Sequence, residues 1–352
     1  LTKIGEMKTK PTQYAVRTLN SYGVHPDFII ARSDRAIDKP RREKISFSCN
    51  VPAEQIISAP DVDSIYDIPL NFEADGLSTK ILRALSLKPK TSDLHAWQQM
   101  VKRRQLTKRQ VKIGLVGKYF QTGDFVLSDV YLSVIESLKH AGVSCGCGVN
   151  IDWLNCADFE GAGAKNLTRL ADYDRILVPG GFGSRGIEGI LSAIKYAREK
   201  KIPYLGLCYG MQLAVIEYAR NVLAWRRADT TEIDPKTPYP VIDIMTDQKK
   251  LMAEQNYGGT MRLGSYPAKL RAGTLARQLY GAENISERHR HRYEVNPRFI
   301  ADLEKQGLVF SGTSPDGQLM EIVELPEGKH PFFIGSQFHP EFQSWPLKPH
   351  PL

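Results

Sequence analysis

The run Pro203-Tyr-Leu-Gly-Leu-Cys-Tyr-Gly-Met-Gln212 turns a short apolar strand into a helix with a cysteine at the corner. Ile202 to Leu207 is apolar, and Met211 to Ala219 carries helix formers with apolar residues at helical spacing, which predicts Cys208 at a helix N-terminus. Unpaired N–H groups and the helix dipole favour a thiolate there. Gly206 and Gly210 bracket the cysteine and relax the steric limits of a tight strand-to-helix turn. The pattern is that of the G-x-S-x-G nucleophile elbow, with sulfur in place of oxygen.

A cysteine in an apolar run is by itself more often a small packed hydrophobe than a nucleophile. The glycine bracket weighs against that reading, and a second stretch weighs further. Phe332-Phe-Ile-Gly-Ser-Gln-Phe-His-Pro-Glu341 reads as a strand ending in His339, with Glu341 two residues on. With the backbone extended across Pro340, both side chains point the same way, so the carboxylate orients the imidazole that serves the cysteine. Cysteine, histidine and carboxylate in that order form an acyl-transfer triad.

The G-x-C-x-G-x-Q elbow with a downstream H-P-E resembles the class I glutamine amidotransferases. Arg288-His-Arg-His-Arg-Tyr-Glu-Val-Asn296, Gly258-Gly-Thr-Met-Arg-Leu-Gly264 and Val178-Pro-Gly-Gly-Phe-Gly183 narrow the resemblance to the CTP synthase family. Lys8-Thr-Lys-Pro-Thr-Gln13 and Asp61-Val-Asp-Ser-Ile-Tyr66 point the same way, and the likeness runs over essentially the whole chain. It implies a Cys208–His339–Glu341 triad, with the backbone N–H groups of Gly181 and Tyr209 receiving the charge that develops on the glutamine carbonyl. Glu232 and Arg292 answer the α-ammonium and α-carboxylate of L-glutamine, with Gly181, Tyr209, Gly210, Met211, Gln212 and Tyr293 completing its site. Lys8, Thr9, Lys10, Pro11, Thr12 and Gln13, with Lys44, would line a UTP/CTP phosphate site, and Asp61 and Val62 would border the ATP base. Position 209 is commonly leucine in the family, whereas this chain has tyrosine.

The 352 residues suffice for two domains. Up to about residue 88 the pattern alternates: helix at Pro11–Tyr22, strand at Asp27–Arg32, short basic helix at Arg41–Cys49, strand at Gln55–Ser58 and helix at Asp75–Leu85. Two strands do not make a covered parallel sheet, so residues 1–90 read as the tail of a larger α/β nucleotide-binding domain, the C-terminal part of an amidoligase domain with its remainder upstream. Residues 91–110 read as a linker holding one amphipathic helix, Asp93–Arg104. From Val111 strands and helices alternate again, so residues 111–352 read as the glutaminase domain: α/β, an open and mostly parallel sheet flanked by helices, with its sites at the carboxyl ends of the strands. A β-rich second half follows the elbow helix.

No run approaches the length of apolar residues a membrane span needs, and no signal peptide opens the chain. Five cysteines, at 49, 145, 147, 156 and 208, suit a reducing cytoplasm better than a disulfide framework. The Cys145, Cys147 and Cys156 spacing is not a zinc knuckle's, so no metal site is expected in this part of the protein. The net charge of +8 is unaccompanied by a nucleic-acid motif and fits solvated faces and sites for phosphorylated nucleotides.

No G-x-x-x-x-G-K-[ST] run occurs in the chain. The expectation is a CTP synthase that retains the glutaminase half, with Mg and ATP implied for the full-length enzyme and no cofactor for the glutaminase part. The resemblance further implies a homo-tetramer at full length and GTP as activator. Two loops bear on GTP: Phe120–Ser128 is longer than the family's usual connection, and the 246–257 lid region is shorter than in many relatives. Competing readings are another class I member, such as GMP synthase or a γ-glutamyl hydrolase, and a non-catalytic nucleotide-binding or assembly module.

Overall fold

The computed structural model describes residues 7–88, 91, 93–118, 121–122, 125–126, 131–244 and 261–352, with the backbone alone at 121–122, 125–126 and 162–165. The 246–257 lid and most of the 120–128 insertion lie outside the described residues. The chain divides into two compact units, Leu1–Gln105 and Leu106–Leu352.

In the first unit, helix α1 (Lys10–Ser21) and strand β1 (Ile29–Ser33) precede helix α2 (Lys39–Cys49) and strand β2 (Ile56–Pro60), which pairs with β1 in parallel. Asp38 caps α2 by accepting the Arg41 N–H at 3.0 Å, and Asn50 ends it in the left-handed conformation at φ 53°. Val16, Ile29, Ala31, Ile45, Cys49 and Ile56 meet in a small core between the helices and the two strands. The helix expected at Asp75–Leu85 is α4 (Leu77–Ala84), and a further helix, α3 (Ile68–Ala74), precedes it, the two set apart by Gly76, which turns left-handed at φ 68°. Helix α5 (His95–Leu106), in the region read as a linker, docks on this unit. Trp97 Nε1 donates to the Tyr66 carbonyl at 2.8 Å, and Arg104 pairs with Asp67 at 3.0 Å.

The second unit is built on a nine-stranded sheet. Its elements run β3 (Gln110–Gly117), a short hairpin of β4 (Gln121–Thr122) and β5 (Phe125–Val126), α6 (Leu132–Ser144), β6 (Gly148–Asn155), β7 (Arg175–Val178), α7 (Ile187–Lys200), β8 (Tyr204–Leu207) and α8 (Tyr209–Asn221). Then follow β9 (Ala228–Thr230), β10 (Tyr239–Ile244), β11 (Arg262–Leu270), β12 (Asn284–His291), β13 (Tyr293–Val295), β14 (Val309–Thr313), β15 (Met320–Glu324) and β16 (Phe333–Ser336). The order is β12-β11-β14-β15-β16-β8-β7-β3-β6. From β16 to β6 every pairing is parallel, and from β16 outward to β12 every pairing is antiparallel. The parallel half carries the elbow.

Helix α8 is buried on all sides from Tyr209 to Ala219, and the topology explains why. One side packs on β8 and β16, and the other on a small second sheet of order β13-β10-β9. Met211, Leu213, Ala214, Val215 and Ile216 are accordingly fully buried. Burying each large member stabilises the fold by about 1.5–3 kcal/mol, so this helix is among the most strongly held elements. Its one buried carboxylate, Glu217, is matched by Arg198 of α7 through two bonds of 2.9 and 2.8 Å.

The register sets up the site. Ser336 of β16 lies opposite Leu207 of β8, and Gly206 of β8 opposite Val178 of β7. Three neighbouring parallel strands thus end level, and the residues just past their ends are Gln337 onward, Cys208, and the Pro179-Gly180-Gly181 turn.

Candidate active site

Cys208 occupies the corner between β8 and α8 with φ 49° and ψ −97°, a strained conformation for a residue with a Cβ, of the order of 1–3 kcal/mol. The surroundings enforce it. The Cys208 N–H donates to the Ser336 carbonyl at 2.6 Å, while its own carbonyl accepts from the Gln212 N–H at 3.2 Å. Gly210 is required for close approach, since a Cβ there would sit 2.3 Å from the Val178 carbonyl oxygen. The thiol is only 5% exposed, yet it lines a cleft of about 660 Å³. Its Sγ lies 3.9 Å from the Arg290 carbonyl and 3.8 Å from Gln337 Nε2.

His339 is hydrogen-bonded to Cys208 on one side and to Glu341 on the other, with Nδ1 to Oε1 at 2.7 Å. Burial alone would lower its pKa. The bonds to Cys208 and Glu341, with the negative charge on both, outweigh burial and raise it to about 10. The imidazolium form is therefore favoured beside the sulfur. The contact to Glu341 arises differently from the extended backbone expected: β16 stops at Ser336, and Pro340–Gln343 is a short 3₁₀ turn with His339 at its N-cap. Proline at the first position fixes φ for that turn, which swings the carboxylate back under the ring. The His339 N–H, donating to the Arg288 carbonyl at 2.8 Å, anchors the turn to β12.

The Pro179–Gly183 turn closes the opposite wall. A Cβ on Gly180 would lie 2.8 Å from His339 Cε1 and 3.7 Å from Cys208 Cβ, so the turn presses directly on the nucleophile and its base. Gly181 and Tyr209 both line the cleft, as do Gln212, Glu232, Arg292 and Tyr293. Glu232 accepts the Gly183 N–H at 2.9 Å, and Gln212 Nε2 donates to the Tyr293 carbonyl at 2.9 Å. Gly210 and Met211, also expected at the glutamine, point elsewhere. Helical periodicity turns them toward the sheet, Gly210 against Val178 and the Met211 side chain, fully buried, against Gly335.

Two contributors went unnoticed in the sequence. Gln337 is fully buried beside the thiol, and its amide oxygen accepts from Gln212 at 3.2 Å. Its place two residues before His339, in the run that follows β16, was the available signal. Lys118, just past the end of β3, donates to the Gly183 carbonyl at 2.8 Å, a contact between residues 65 apart that no local pattern shows.

The residues expected at nucleotide phosphates all fall in the first unit. Lys8–Gln13 form the entry and first turn of α1, where Gln13 Nε2 donates to Thr9 Oγ1 at 3.1 Å. Lys44 projects from α2, which packs on α1. Asp61 and Val62 follow β2, with the Asp61 N–H donating to the Ser33 carbonyl at 2.9 Å and its carboxylate 3.6 Å from Arg32. Among the described residues no helix is long and apolar enough to cross a membrane.

Residues 126–352 match the family described as glutamine amidotransferase class-I, and residues 1–87 match CTP synthase N-terminus. Curated relatives include the CTP synthases of Pelotomaculum thermopropionicum, 51% identical over 99% of this chain and 62% of its own length, and of Thermococcus gammatolerans, 49% identical over 99% of this chain and 63% of its own. The chain thus spans somewhat less than two thirds of the curated relatives it matches. Among solved structures it is similar to a Trypanosoma brucei CTPS glutaminase domain with bound acivicin, at TM-score 0.62 and 35% identity, covering 68% of this chain and 90% of that one. On these matches the chain belongs to the class I glutamine amidotransferase family and, within it, to the CTP synthases.

Proposed function

We propose that this chain hydrolyses L-glutamine through Cys208, His339 and Glu341, and that the ammonia serves the ATP-dependent amination of UTP to CTP in the whole enzyme. The observation that carries the reading is the Cys208–His339–Glu341 chain of contacts at one wall of a cleft whose other residues include Glu232 and Arg292. Those two oppositely charged side chains suit the α-ammonium and α-carboxylate of a free amino acid.

In the first step the Cys208 thiolate forms a bond to the side-chain carbonyl carbon of glutamine. The N–H groups of Gly181 and Tyr209 take the charge on the carbonyl oxygen, and such a donor is typically worth about 10²–10³ in rate. The carbon–nitrogen bond then breaks as His339 gives its proton to the leaving nitrogen, producing ammonia and a thioester. Water next loses a proton to the now neutral His339 and attacks the thioester. The carbon–sulfur bond breaks, restoring thiolate and imidazolium, and the glutamic acid formed ionises. Glu341 holds the ring's orientation throughout.

For the amination half, the lysines at the start of α1 and on α2 suit nucleotide phosphates. The sequence has no G-x-x-x-x-G-K-[ST] loop, and among the described residues no group of three or more His, Cys, Asp or Glu could hold a metal ion. We therefore assign no step to ATP or Mg in this chain. UTP, CTP and ATP as ligands, GTP as activator, a homo-tetramer and a cytoplasmic location belong to the same proposal for the whole enzyme, on family grounds.

The test measures glutamate and ammonia from the 352-residue chain with glutamine, then CTP with ammonium, UTP and ATP supplied. Release of ammonia that is abolished in Cys208→Ala, with no CTP formed, is the expected result. Unchanged release in Cys208→Ala overturns the site assignment, and CTP from ammonium overturns the restriction to the glutaminase half.

A further inference from the structure

The two peptide groups that flank the Gly183 Cα are both held, by side chains from three different parts of the fold. The Gly183 carbonyl oxygen accepts from Tyr209 Oη at 2.8 Å and from Lys118 Nζ at 2.8 Å, and its N–H donates to Glu232 Oε1 at 2.9 Å. Lys118 Nζ also lies 4.9 Å from the centre of the Tyr209 ring, so the two donors support each other by a cation–π contact. Tyr209 is 2% exposed and Lys118 9%, which keeps water from competing for the same carbonyl. Three residues upstream, Gly180 presses on His339 and Cys208.

From this geometry we infer that the Tyr209 side chain is a positioning residue, which with Lys118 clamps the Gly183 carbonyl and so holds the Gly180–Gly181 turn in the orientation that receives the glutamine oxyanion. The inference rests on the proposed glutaminase reading and deepens it. A glycine-rich turn carries little rotamer or steric restraint of its own, so its peptide planes rotate unless their polar groups are tied. Turning the 183–184 peptide plane here breaks two hydrogen bonds at once, and turning the 182–183 plane breaks the third. Tyr209 follows the nucleophile directly, so one residue supplies a backbone donor to the oxyanion and a side-chain donor to the turn bearing the other. The Glu232 bond extends the arrangement: the carboxylate suited to the substrate's ammonium is the acceptor that holds the preceding peptide, on the other side of the Gly183 Cα. Occupation of the amino-acid subsite and alignment of the turn are thereby linked through one residue, Gly183.

The test compares Tyr209→Phe, Lys118→Met and the double variant in glutamine hydrolysis, with each rate normalised to the thiol labelled by a glutamine-analogue electrophile. Tyr209→Phe keeps the ring over Lys118 and removes only the hydroxyl. Each single variant is expected to lose about three- to tenfold in kcat, the worth of one hydrogen bond, with KM changed by less than about twofold. The double variant should lose more than the product of the singles, because either donor alone still satisfies the carbonyl. A merely structural role would lower the labelled fraction while leaving the rate per labelled site intact, and that result overturns the inference. So does wild-type turnover with all three variants within twofold of it, or a change confined to KM. Should Tyr209→Phe fail to fold, Lys118→Met reports on the same carbonyl. A wild-type chain that labels but does not hydrolyse glutamine overturns the proposed function itself, a distinguishable failure.

Discussion

Replacing Glu341 with glutamine keeps the volume of the side chain and removes its charge. In the native site Glu341 Oε1 lies 2.7 Å from His339 Nδ1, with the two side chains 7% and 12% exposed, so solvent screens the pair little. A charge-assisted hydrogen bond of this kind is worth about 1.5–3 kcal/mol, which at about 1.4 kcal/mol per factor of ten is about 10- to 100-fold in rate. The same energy should lower the imidazolium pKa from about 10 by about one to two units. The sign follows from the direction of the shift. A histidine raised from 6.5 to about 10 contributes stability that is fully present below 6.5 and lost as pH rises through about 10. Glu341→Gln should therefore bring the alkaline loss of both activity and His339-dependent stability to lower pH. The assay is ammonia release from glutamine between pH 6 and 10.5, with thermal unfolding followed over the same range. A Glu341→Gln enzyme within twofold of wild type at neutral pH, with its alkaline limb unmoved, would refute the assignment of Glu341 as the group that holds and charges the ring.

Labelling with a glutamine-analogue electrophile should modify Cys208, which lines the cleft, and spare the other four, which do not; burial also pushes the Cys49 thiol up, and Cys156 is raised by burial and the Glu160 charge. Peptide mapping that finds the adduct elsewhere with Cys208 untouched contradicts it. His339→Ala should cost more glutaminase activity than Glu341→Ala, because the first removes the proton carrier and the second only its orientation; equal, negligible losses reject the triad. Arg198→Met leaves Glu217, at 0% exposure, without its partner beneath the elbow helix and should destabilise the fold by about 3–5 kcal/mol in urea unfolding. A loss below 1 kcal/mol would show that the pair does not anchor α8.

How much was legible in the sequence follows the range of the forces involved. The elbow could be read because strand, corner and helix lie within a few residues of one another, and each leaves a local signature: an apolar run, a glycine bracket and helical spacing. Helices α1, α2 and α5 and strands β1 and β2 were legible for the same reason, with ends displaced by a few residues. Strands β11 and β12 were not, because Arg262 and the charged run Arg288–His291 obey no alternation of apolar and polar residues. Burial of Arg262, His289 and His291 is made tolerable only by partners such as Glu294 and Glu321, supplied from elsewhere in the chain.

At the site, sequence alone determined which residue types can do acyl transfer and, through their motifs, that Cys208, His339 and Glu341 belong together. Tertiary structure decided how they meet. Parallel register brought the ends of β7, β8 and β16 level, a 3₁₀ turn rather than an extended strand aimed Glu341 at the ring, and helix periodicity turned Met211 into the core instead of the cleft. The clamp on Gly183 was decided there entirely. Hydrogen bonds depend on distance and angle in space, and residues 118, 183, 209 and 232 acquire both only when the sheet brings the ends of separate strands to one edge.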